Sequence, residues 1–396
     1  MSLSDPRPAP HRRPVIAGLG ITDMTRRIYG RTAAQFAVDA VRAALDDAGL
    51  ALCDVGGLLT NAGITRGIGL PLQKDLGLRD LRMLSEIQAY GSSAGAMVQY
   101  ASMAVASGMV DVIVCVFADA PLQQGGGTGD AYATSRATPT GFAAMPFAAG
   151  LRGAPSMYAL AARRHMQAYG TTSEQFGAVA VAAREWAALN PLAQMREPIT
   201  LEDHQASRWI AEPLHLLDCC LVSNGAIAVV VTSADRAAAL RQPPVHVLGW
   251  AQAHPGYVRE RDSDFGLVSG ATRSGPEALK MAGLTLSDID VAEIYDCFTY
   301  TTIVSLEDYG FCEKGEGGPL AESGALGPSG SLRVNTGGGE LSSYYLWGMT
   351  PLSEAVIQAR GQGGDRQAER HDVVLVSGNG GFLDYHSTLI LGTGPN

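Results

Sequence analysis

Apolar and polar positions along the chain form two kinds of run, short β-branched runs and longer runs with helical spacing. PVIAGLGIT predicts a first strand, and TAAQFAVDAVRAALDDAGL predicts an amphipathic helix that ends at Gly49. LSEIQA and DVIVCVFAD predict strands on either side of the small-residue helix GSSAGAMVQYASMAVASG. The first part of the chain therefore predicts a βαβ unit, with the turn before that helix at the carboxyl end of a strand.

The pattern changes between about residues 120 and 211. Gly, Thr, Pro and aromatic residues are followed by helical stretches such as SMYALAARRHMQAYG, and no strand alternation continues through them. This indicates a lid or loop region inserted into an α/β unit. The run DCCLVSNGAIAVVVTSAD then restores a buried strand, so that residues 1–243 form an N-terminal half.

A second series of elements begins at PVHVLGWAQ. It continues through the helix GPEALKMAGL, the strand VAEIYDCF, the Gly-rich turn VNTGGGELSSYYLWGM, the helix TPLSEAVIQARGQ and the strands DVVLVSGNGG and YHSTLILG. This order mirrors the first half and predicts an internal duplication, with residues 244–396 as the C-terminal half. We expect one helix from each half to lie on a pseudo-twofold axis, with both N-termini near one site.

Composition narrows the classes of protein that fit. With 46% hydrophobic and only 17% charged residues, the 396-residue chain has a small charged surface, which predicts a homodimer. A net charge of −10 argues against nucleic-acid binding. Because no run of eighteen apolar residues occurs, we expect no membrane span. The cysteines lie in apolar runs without a CxxC motif, which favours reduced thiols and a cytoplasmic location.

Several kinds of catalytic centre are disfavoured by the sequence. The only lysines, Lys74, Lys280 and Lys314, lie in no Walker-type or Schiff-base context. The histidines and cysteines show no metal-ligand spacing, so that we expect no metal site. The stretch GGGTGD resembles a phosphate-binding loop only superficially, because no helical pattern follows it.

Five motifs in order resemble the thiolase superfamily and, within it, the sterol carrier protein thiolase branch. They are AALDDAGL, GMVDVIVCVF, DCCLVSNGAIAVVV, DIDVAEIYDCF, and VNTGGGELS followed by GNGG. The resemblance covers nearly the whole chain. It implies the five-layered αβαβα thiolase fold, an α/β fold with duplicated halves that is normally dimeric.

The residues at the catalytic positions of that family differ from its pattern. Counted back from SGMVDV, the position of the nucleophilic cysteine falls on Gly91. The family motif HDCF or NEAF reads YDCF here and begins at Tyr295, and the histidine of GGxxxxGHPxG aligns with Tyr345. The last element, Cys-x-Gly or His-Asn, aligns with Gly378 and Asn379. All three reactive side chains of a Claisen enzyme are therefore absent.

An acyl-enzyme mechanism would need another nucleophile. Only Ser92 or Ser93 could replace the cysteine, and a serine hydroxyl needs a general base that the motif positions do not supply. Helix N-capping is the alternative interpretation of both serines. Acyl transfer by the usual thiolase route is accordingly disfavoured.

Two catalytic positions that have both become tyrosine suggest a different reaction. Retro-aldol cleavage of a β-hydroxyacyl-CoA needs a base at the β-hydroxyl group and a group that stabilises and protonates the thioester enolate, but no acyl-enzyme. A phenol can donate to an enolate oxygen or, if its pKa is lowered, accept the hydroxyl proton. In lacking the cysteine and carrying tyrosines, the chain looks like the thiolase-related aldolases that remove steroid side chains in bacteria.

This resemblance implies that Tyr295 and Tyr345 are catalytic, with the choice of base left open. It implies cleavage of a β-hydroxyacyl-CoA with a bulky, steroidal side chain into a ketone and a short acyl-CoA such as propionyl-CoA or acetyl-CoA. Coenzyme A would enter as part of the substrate, no separate cofactor is expected, and an OB-fold partner protein would complete a hetero-oligomer. The substrate-binding positions are expected to be Gly91, Ser92, Gly338, Gly339, Tyr344, Gly378 and Asn379.

Two other functions remain open at this point: a thiolase-like acyltransferase and a non-catalytic scaffold that binds a lipid or a partner. Buried tyrosines are more commonly packing residues than catalysts. Tyr344 takes the place of Tyr345 if the turn is shifted by one residue.

Overall fold

A computed structural model of this protein describes residues 12–25, 27–126, 131, 140–151, 153–256 and 265–394, without the side chains of residues 142 and 143. The strands in these ranges are β1 (Pro14–Ile21), β2 (Gly57–Ala62), β3 (Met83–Glu86), β4 (Val112–Asp119), β5 (Trp209–Ala211), β6 (Leu214–His215), β7 (Gly225–Ser233), β8 (Val245–Ala253), β9 (Val291–Ile294), β10 (Arg333–Val334), β11 (Val373–Gly380) and β12 (Tyr385–Gly392). The helices there are α1 (Ala33–Ala48), α2 (Leu72–Leu76), α3 (Ser93–Ala106), α4 (Met145–Ala148), α5 (Gly153–Tyr169), α6 (Ser173–Ala188), α7 (Leu201–Ala206), α8 (Ala234–Ala237), α9 (Ala271–Ala282), α10 (Thr299–Tyr309), α11 (Gly317–Glu322) and α12 (Met349–Ala359).

The main sheet is built twice from the same strand order. Its order is β10-β9-β11-β12-β8-β1-β7-β4-β2-β3, and each half of the chain contributes five of these strands. When the five strands of a half are numbered in chain order, both halves show the order third, second, fourth, fifth, first from the edge of the sheet to its centre. The directions also match, because β9 pairs in parallel with β10 and β11 as β2 does with β3 and β4. The halves join through a short antiparallel pairing of β1 with β8. The predicted internal duplication is thereby confirmed.

The helices add three layers to the two half-sheets. Helix α1 packs on β1, β4 and β7, and α9 packs on β8 and β12. Helices α3 and α12 contact each other and strands of both half-sheets, so that they form the middle layer. This is the αβαβα thiolase arrangement, and the predicted fold class is confirmed.

The two central helices begin at the same place. A Cβ atom on Gly348, which precedes α12, would overlap the carbonyl oxygen of Gly91 just before α3, so that only glycine permits this approach. Small residues also line α3, where Gly95 lies against Ser387 of β12. The expectation that one helix from each half brings its N-terminus to one site is therefore confirmed.

The structure differs from the pattern-based expectations in two places that matter for the site. The run VAEIYDCF is a strand only as far as Ile294, so that Tyr295 begins a connection at the carboxyl end of β9. Helix α10 was not predicted, and all its residues are buried.

The described part of the region from about residue 120 to 211 contains helices α4 to α7, strand β5 and the loops between them, and residues 127–130, 132–139 and 152 lie outside the described ranges. Its helix α6 packs against α10, α11 and the turn Gly339–Ser343. No helix in the described ranges is both long and apolar enough to cross a membrane.

Candidate active site

The phenol oxygens of Tyr295 and Tyr345 are 3.0 Å apart and share a hydrogen bond in which either can donate. Tyr295 follows β9 directly, and its backbone N–H donates to the carbonyl oxygen of Ser377 in β11. Tyr345 follows the Gly-rich turn, and its N–H donates to Oγ of Ser223 at 3.0 Å. The Tyr295 side chain is almost fully buried, whereas that of Tyr345 is half-buried. Two positions that lie far apart in sequence thus form one pair.

The Gly-rich turn is fixed onto the end of β9 by side chains. Asn335 accepts the N–H of Ile294 at 2.6 Å, and a carboxylate oxygen of Asp296 accepts the N–H of Glu340 at 2.7 Å. Gly339, with φ of +60°, lies so close to the Asp296 carboxylate that a Cβ atom would overlap it. The turn therefore needs glycine at this position to place Tyr345 beside Tyr295.

A buried polar network supports the base of the turn. Thr336 donates from its N–H and its hydroxyl group to one oxygen of Glu293, at 3.1 and 2.7 Å. Arg366 binds both oxygens of Glu354, at 2.9 and 3.1 Å. Burial, together with the charge of Glu354, raises the pKa of Glu293 to about 8. Because these groups hydrogen-bond to one another, the turn has a rigid support.

Gly91 lies against the ring of Tyr295. A Cβ atom at position 91 would overlap Cε2 and Cζ of that ring and also the carbonyl oxygen of Asn379. The space that a cysteine side chain needs is therefore filled by Tyr295. Gly378 also allows close packing around Gly91, since a Cβ atom at position 378 would meet Oγ of Ser387 and the carbonyl oxygen of Gly91.

The serines at the start of α3 have no general base. The Ser92 hydroxyl is buried and has no hydrogen-bond partner in the described part of the chain, and α3 has no side-chain cap. The N-capping interpretation is therefore wrong for Ser92. The Ser93 hydroxyl accepts the N–H of Ala89 at 2.7 Å, outside the helix. Neither serine therefore has a contact that could activate it as a nucleophile.

The other candidate positions are Gly338, Tyr344 and Asn379, and their side chains or Cβ positions have other neighbours than the tyrosine pair. Gly338 packs against Ala187 of α6. Tyr344 is extended, so that its side chain points opposite to that of Tyr345, and its hydroxyl pairs with Oγ of Ser353 at 3.1 Å. The Asn379 side chain is fully buried on the same face of the sheet as its cross-strand neighbour His386. Of the candidate glycines, Gly91 contacts the ring of Tyr295, Gly378 contacts Gly91, and Gly338 and Gly339 belong to the turn.

Burial controls the charges at the site. The pKa of Tyr295 lies well above 10, first because of burial and then because of Tyr345 and Glu340. Burial also raises the pKa of the Cys297 and Cys220 thiols, which disfavours thiolates. Tyr295 is thus a neutral phenol that can donate a proton.

An aromatic group that the sequence reasoning missed lies next to Gly91. Tyr90, 48% exposed and with φ of +53°, lies 5.8 Å from the ring of Trp347 and 6.0 Å from that of Tyr385. Trp347 also has a positive φ, +50°. Positive φ values at bulky residues are costly and tend to occur at functional sites. The sequence signal for this group was that Tyr90, Trp347 and Tyr385 each lie close in sequence to a glycine of the site motifs.

Glu340 was also missed by the sequence reasoning. Its side chain is fully buried, and neither carboxyl oxygen has a hydrogen-bond partner in the described ranges. The available signal was that Glu340 is the single charged residue of the Gly-rich run VNTGGGELSSYYLWGM. Among the described residues, no group of three or more His, Cys, Asp or Glu side chains could hold a metal ion.

Residues 251–393 match the family described as Thiolase C-terminal domain-like. The chain is 39% identical over 375 residues to a steroid side-chain-cleaving aldolase of Thermomonospora curvata, covering 92% of this chain and 95% of that protein. It is 40% identical over 380 residues to the 17-hydroxy-3-oxo-4-pregnene-20-carboxyl-CoA lyase of Mycobacterium tuberculosis, covering 92% and 96%.

A solved structure is also similar over nearly the whole chain. The Ltp2-ChsH2(DUF35) aldolase superposes with a TM-score of 0.84 and 37% sequence identity, over 97% of this chain and 98% of that one. An acetyl-CoA acetyltransferase from Syntrophomonas wolfei matches with a TM-score of 0.69 and 16% identity, which supports the fold alone.

Proposed function

The chain belongs to the thiolase superfamily, among the steroid side-chain-cleaving aldolases, and we propose that it splits a β-hydroxyacyl-CoA thioester by a retro-aldol reaction. The observation that carries this proposal is the Tyr295–Tyr345 pair: the two residues stand at the first position of the HDCF motif and at the histidine of the Gly-rich motif, and their oxygens lie 3.0 Å apart. A carbon–carbon lyase of this kind needs proton transfer but no covalent nucleophile.

In the proposed reaction the half-buried Tyr345 receives the proton of the substrate's β-hydroxyl group. Its own proton moves across the hydrogen bond to Tyr295, and the proton of Tyr295 goes to the enolate. The Cα–Cβ bond breaks, its electron pair forms the enolate, and the β-carbon becomes a ketone. Because each phenol gives up one proton and gains one, neither exists as a free phenolate, which agrees with the raised pKa of Tyr295.

Two features of the fold support stabilisation of the enolate. Helices α3 and α12 begin beside Gly91, and the N-terminus of a helix carries a partial positive charge. The surroundings of Tyr295 are buried, and in a medium of low dielectric such a fixed dipole acts more strongly than in water.

The substrate is proposed to carry coenzyme A on one side of the cleaved bond and a bulky apolar ring system on the other. The aromatic group of Tyr90, Trp347 and Tyr385 offers an apolar surface next to Gly91 for that ring system. The relatives' names point to a steroid and to a carboxyl-CoA group. We propose a short acyl-CoA as the second product. Coenzyme A is required only as part of the substrate.

The test is product analysis with a β-hydroxyacyl-CoA that bears a tertiary alcohol on a steroid side chain. We expect one ketone and one shortened acyl-CoA in equal amounts. Acyl exchange with free coenzyme A would indicate a thiolase-like acyltransferase instead. Neither reaction, with the partner protein supplied, would indicate a non-catalytic scaffold.

A second part of the proposal concerns assembly. The edge strand β3 has an unpaired side among the described residues and offers an edge to a second copy of the chain. The name of the Ltp2-ChsH2(DUF35) structure joins two proteins, which supports a partner protein here, and we propose that this partner has an OB fold. We propose a cytoplasmic location, which the six free cysteines support.

We expect light scattering to give the mass of two chains for the isolated protein and a larger hetero-oligomer after the OB-fold protein is added. A standard stable interface buries about 1,600 Å² in total, and a dimer of this kind should exceed that area. A single-chain mass at micromolar concentration, with full activity, would contradict the dimer.

A further inference from the structure

Glu340 and Asp296 are two buried carboxyl groups in contrasting surroundings. Asp296 accepts the N–H groups of Glu340 and Leu341, at 2.7 and 3.4 Å, and burial raises its pKa to about 7. Glu340 has no donor to either oxygen in the described part of the chain, and burial, followed by the charge of Asp296, raises its pKa well above the usual range. Asp296 therefore ionises first, and Glu340 keeps its proton.

No described cation offsets a charge on Glu340. Helix α6 packs against this turn, but its Arg184 donates to Oγ of Ser342 and to the carbonyl oxygen of Glu197. Helix α12 also packs there, and its Glu354 is already paired with Arg366. The remaining ionisable groups around Glu340 are Asp296, Tyr295, Cys297 and Cys220, all of which become negative on losing a proton.

We propose that Glu340 is a positioning residue that acts through Tyr295: while its carboxyl group is neutral, the Tyr295–Tyr345 pair can take part in proton transfer, and once it is ionised the pair is switched off. The physical reason is repulsion. A negative Glu340 opposes the negative charge that develops on the phenols and on the enolate, and low-dielectric surroundings strengthen this effect. The kinetic part of this inference rests on the proposed function.

The first experiment compares the pH dependence of kcat for the wild-type protein, with its partner supplied, and for Glu340→Gln and Glu340→Met. Both variants carry a side chain of similar length that cannot ionise. We expect rates near that of the wild type at neutral pH and an alkaline decline that is lost or moved upward by about one pH unit or more. Asp296 is present in all three proteins, so that any decline it causes is common to them.

Glu277→Gln is the matched control. Glu277 is exposed on α9, so that its removal deletes one carboxylate and should leave the profile unchanged. Profiles of the Glu340 variants that superimpose on the wild-type profile would overturn the inference. So would a folded Glu340 variant that is inactive at every pH, because a charge effect leaves the neutral side chains active.

A second measurement needs no substrate. A fluorotyrosine placed at position 345 ionises at lower pH than tyrosine, and fluorine NMR reports its charge. In the Glu340→Gln background we expect ionisation at lower pH than in the wild-type background, since the opposing charge is gone. Equal titration midpoints would overturn the inference whether or not the protein cleaves the substrate. If the wild-type protein releases no ketone but the titration midpoint in the Glu340→Gln background is still the lower one, only the proposed function is overturned.

Discussion

Replacement of Tyr345 by phenylalanine is expected to lower the rate of carbon–carbon cleavage by about a hundred- to ten-thousandfold. The substitution keeps the ring and removes only the hydroxyl group, which lies 3.0 Å from the Tyr295 hydroxyl. Because Tyr345 is the half-buried member of the pair, it is the phenol that we propose receives the substrate's proton. The measurement is kcat/KM for ketone release, together with the melting temperature to show that the fold survives.

The adjacent tyrosine provides a matched control. Tyr344 is equally aromatic, but its hydroxyl pairs with Ser353 and its side chain points away from Tyr345. Tyr344→Phe should therefore cost about 1 kcal/mol of stability through the lost hydrogen bond and leave turnover nearly intact. A larger loss of rate in Tyr344→Phe than in Tyr345→Phe would mean that the turn has been assigned to the wrong residue.

Tyr295→Phe tests whether the phenols act together. If one proton passes through both, either single change interrupts the same transfer, and the double variant should lose less than the product of the single losses. Near-normal rates in both single variants would show that the tyrosines are packing residues, and the proposed mechanism would fail.

The sequence predicted the fold well because the relevant signals are local or repeated. The β-branched runs, the amphipathic α1 and its stop at Gly49 follow from periodicity and from the left-handed cap, which has φ of +77°. The duplication was visible because the same order of elements occurs twice. Helix α10 was missed for a physical reason: it is buried on all sides, so that it has no separate apolar face, and β-branched Thr, Ile and Val make up five of its eleven residues and leave few strong helix formers.

The site was predictable only as far as alignment could carry it. The motif positions gave Tyr295 and Tyr345, but their shared hydrogen bond depends on a turn held by Asn335 and Asp296. Nothing local marks Glu340 as buried without a partner, since burial is set by distant elements such as α6. The serine N-cap failed at Ser92 because its hydroxyl makes no hydrogen bond to the first turn of α3.

The absence of a side chain at Gly91 has a structural cause as well as a chemical one. In a thiolase this position carries the nucleophile, but here the ring of Tyr295 and the carbonyl oxygen of Asn379 occupy the space where a Cβ atom would lie. The tyrosine and the glycine therefore depend on each other. A ring cannot move away without disturbing its hydrogen bond to Tyr345.

We therefore expect Gly91→Cys to create no acyltransferase and to lower cleavage by about a hundredfold or more, comparable to the loss of one proton-transferring group. The new side chain would displace Tyr295, and no histidine stands at position 345 to activate a thiol. Overpacking of this kind typically costs about 1–3 kcal/mol of stability. Gly91→Ala, which adds the same Cβ without a thiol, should lose cleavage to a similar extent. Acetyl transfer by Gly91→Cys, or full cleavage activity in Gly91→Ala, would contradict this account of the site.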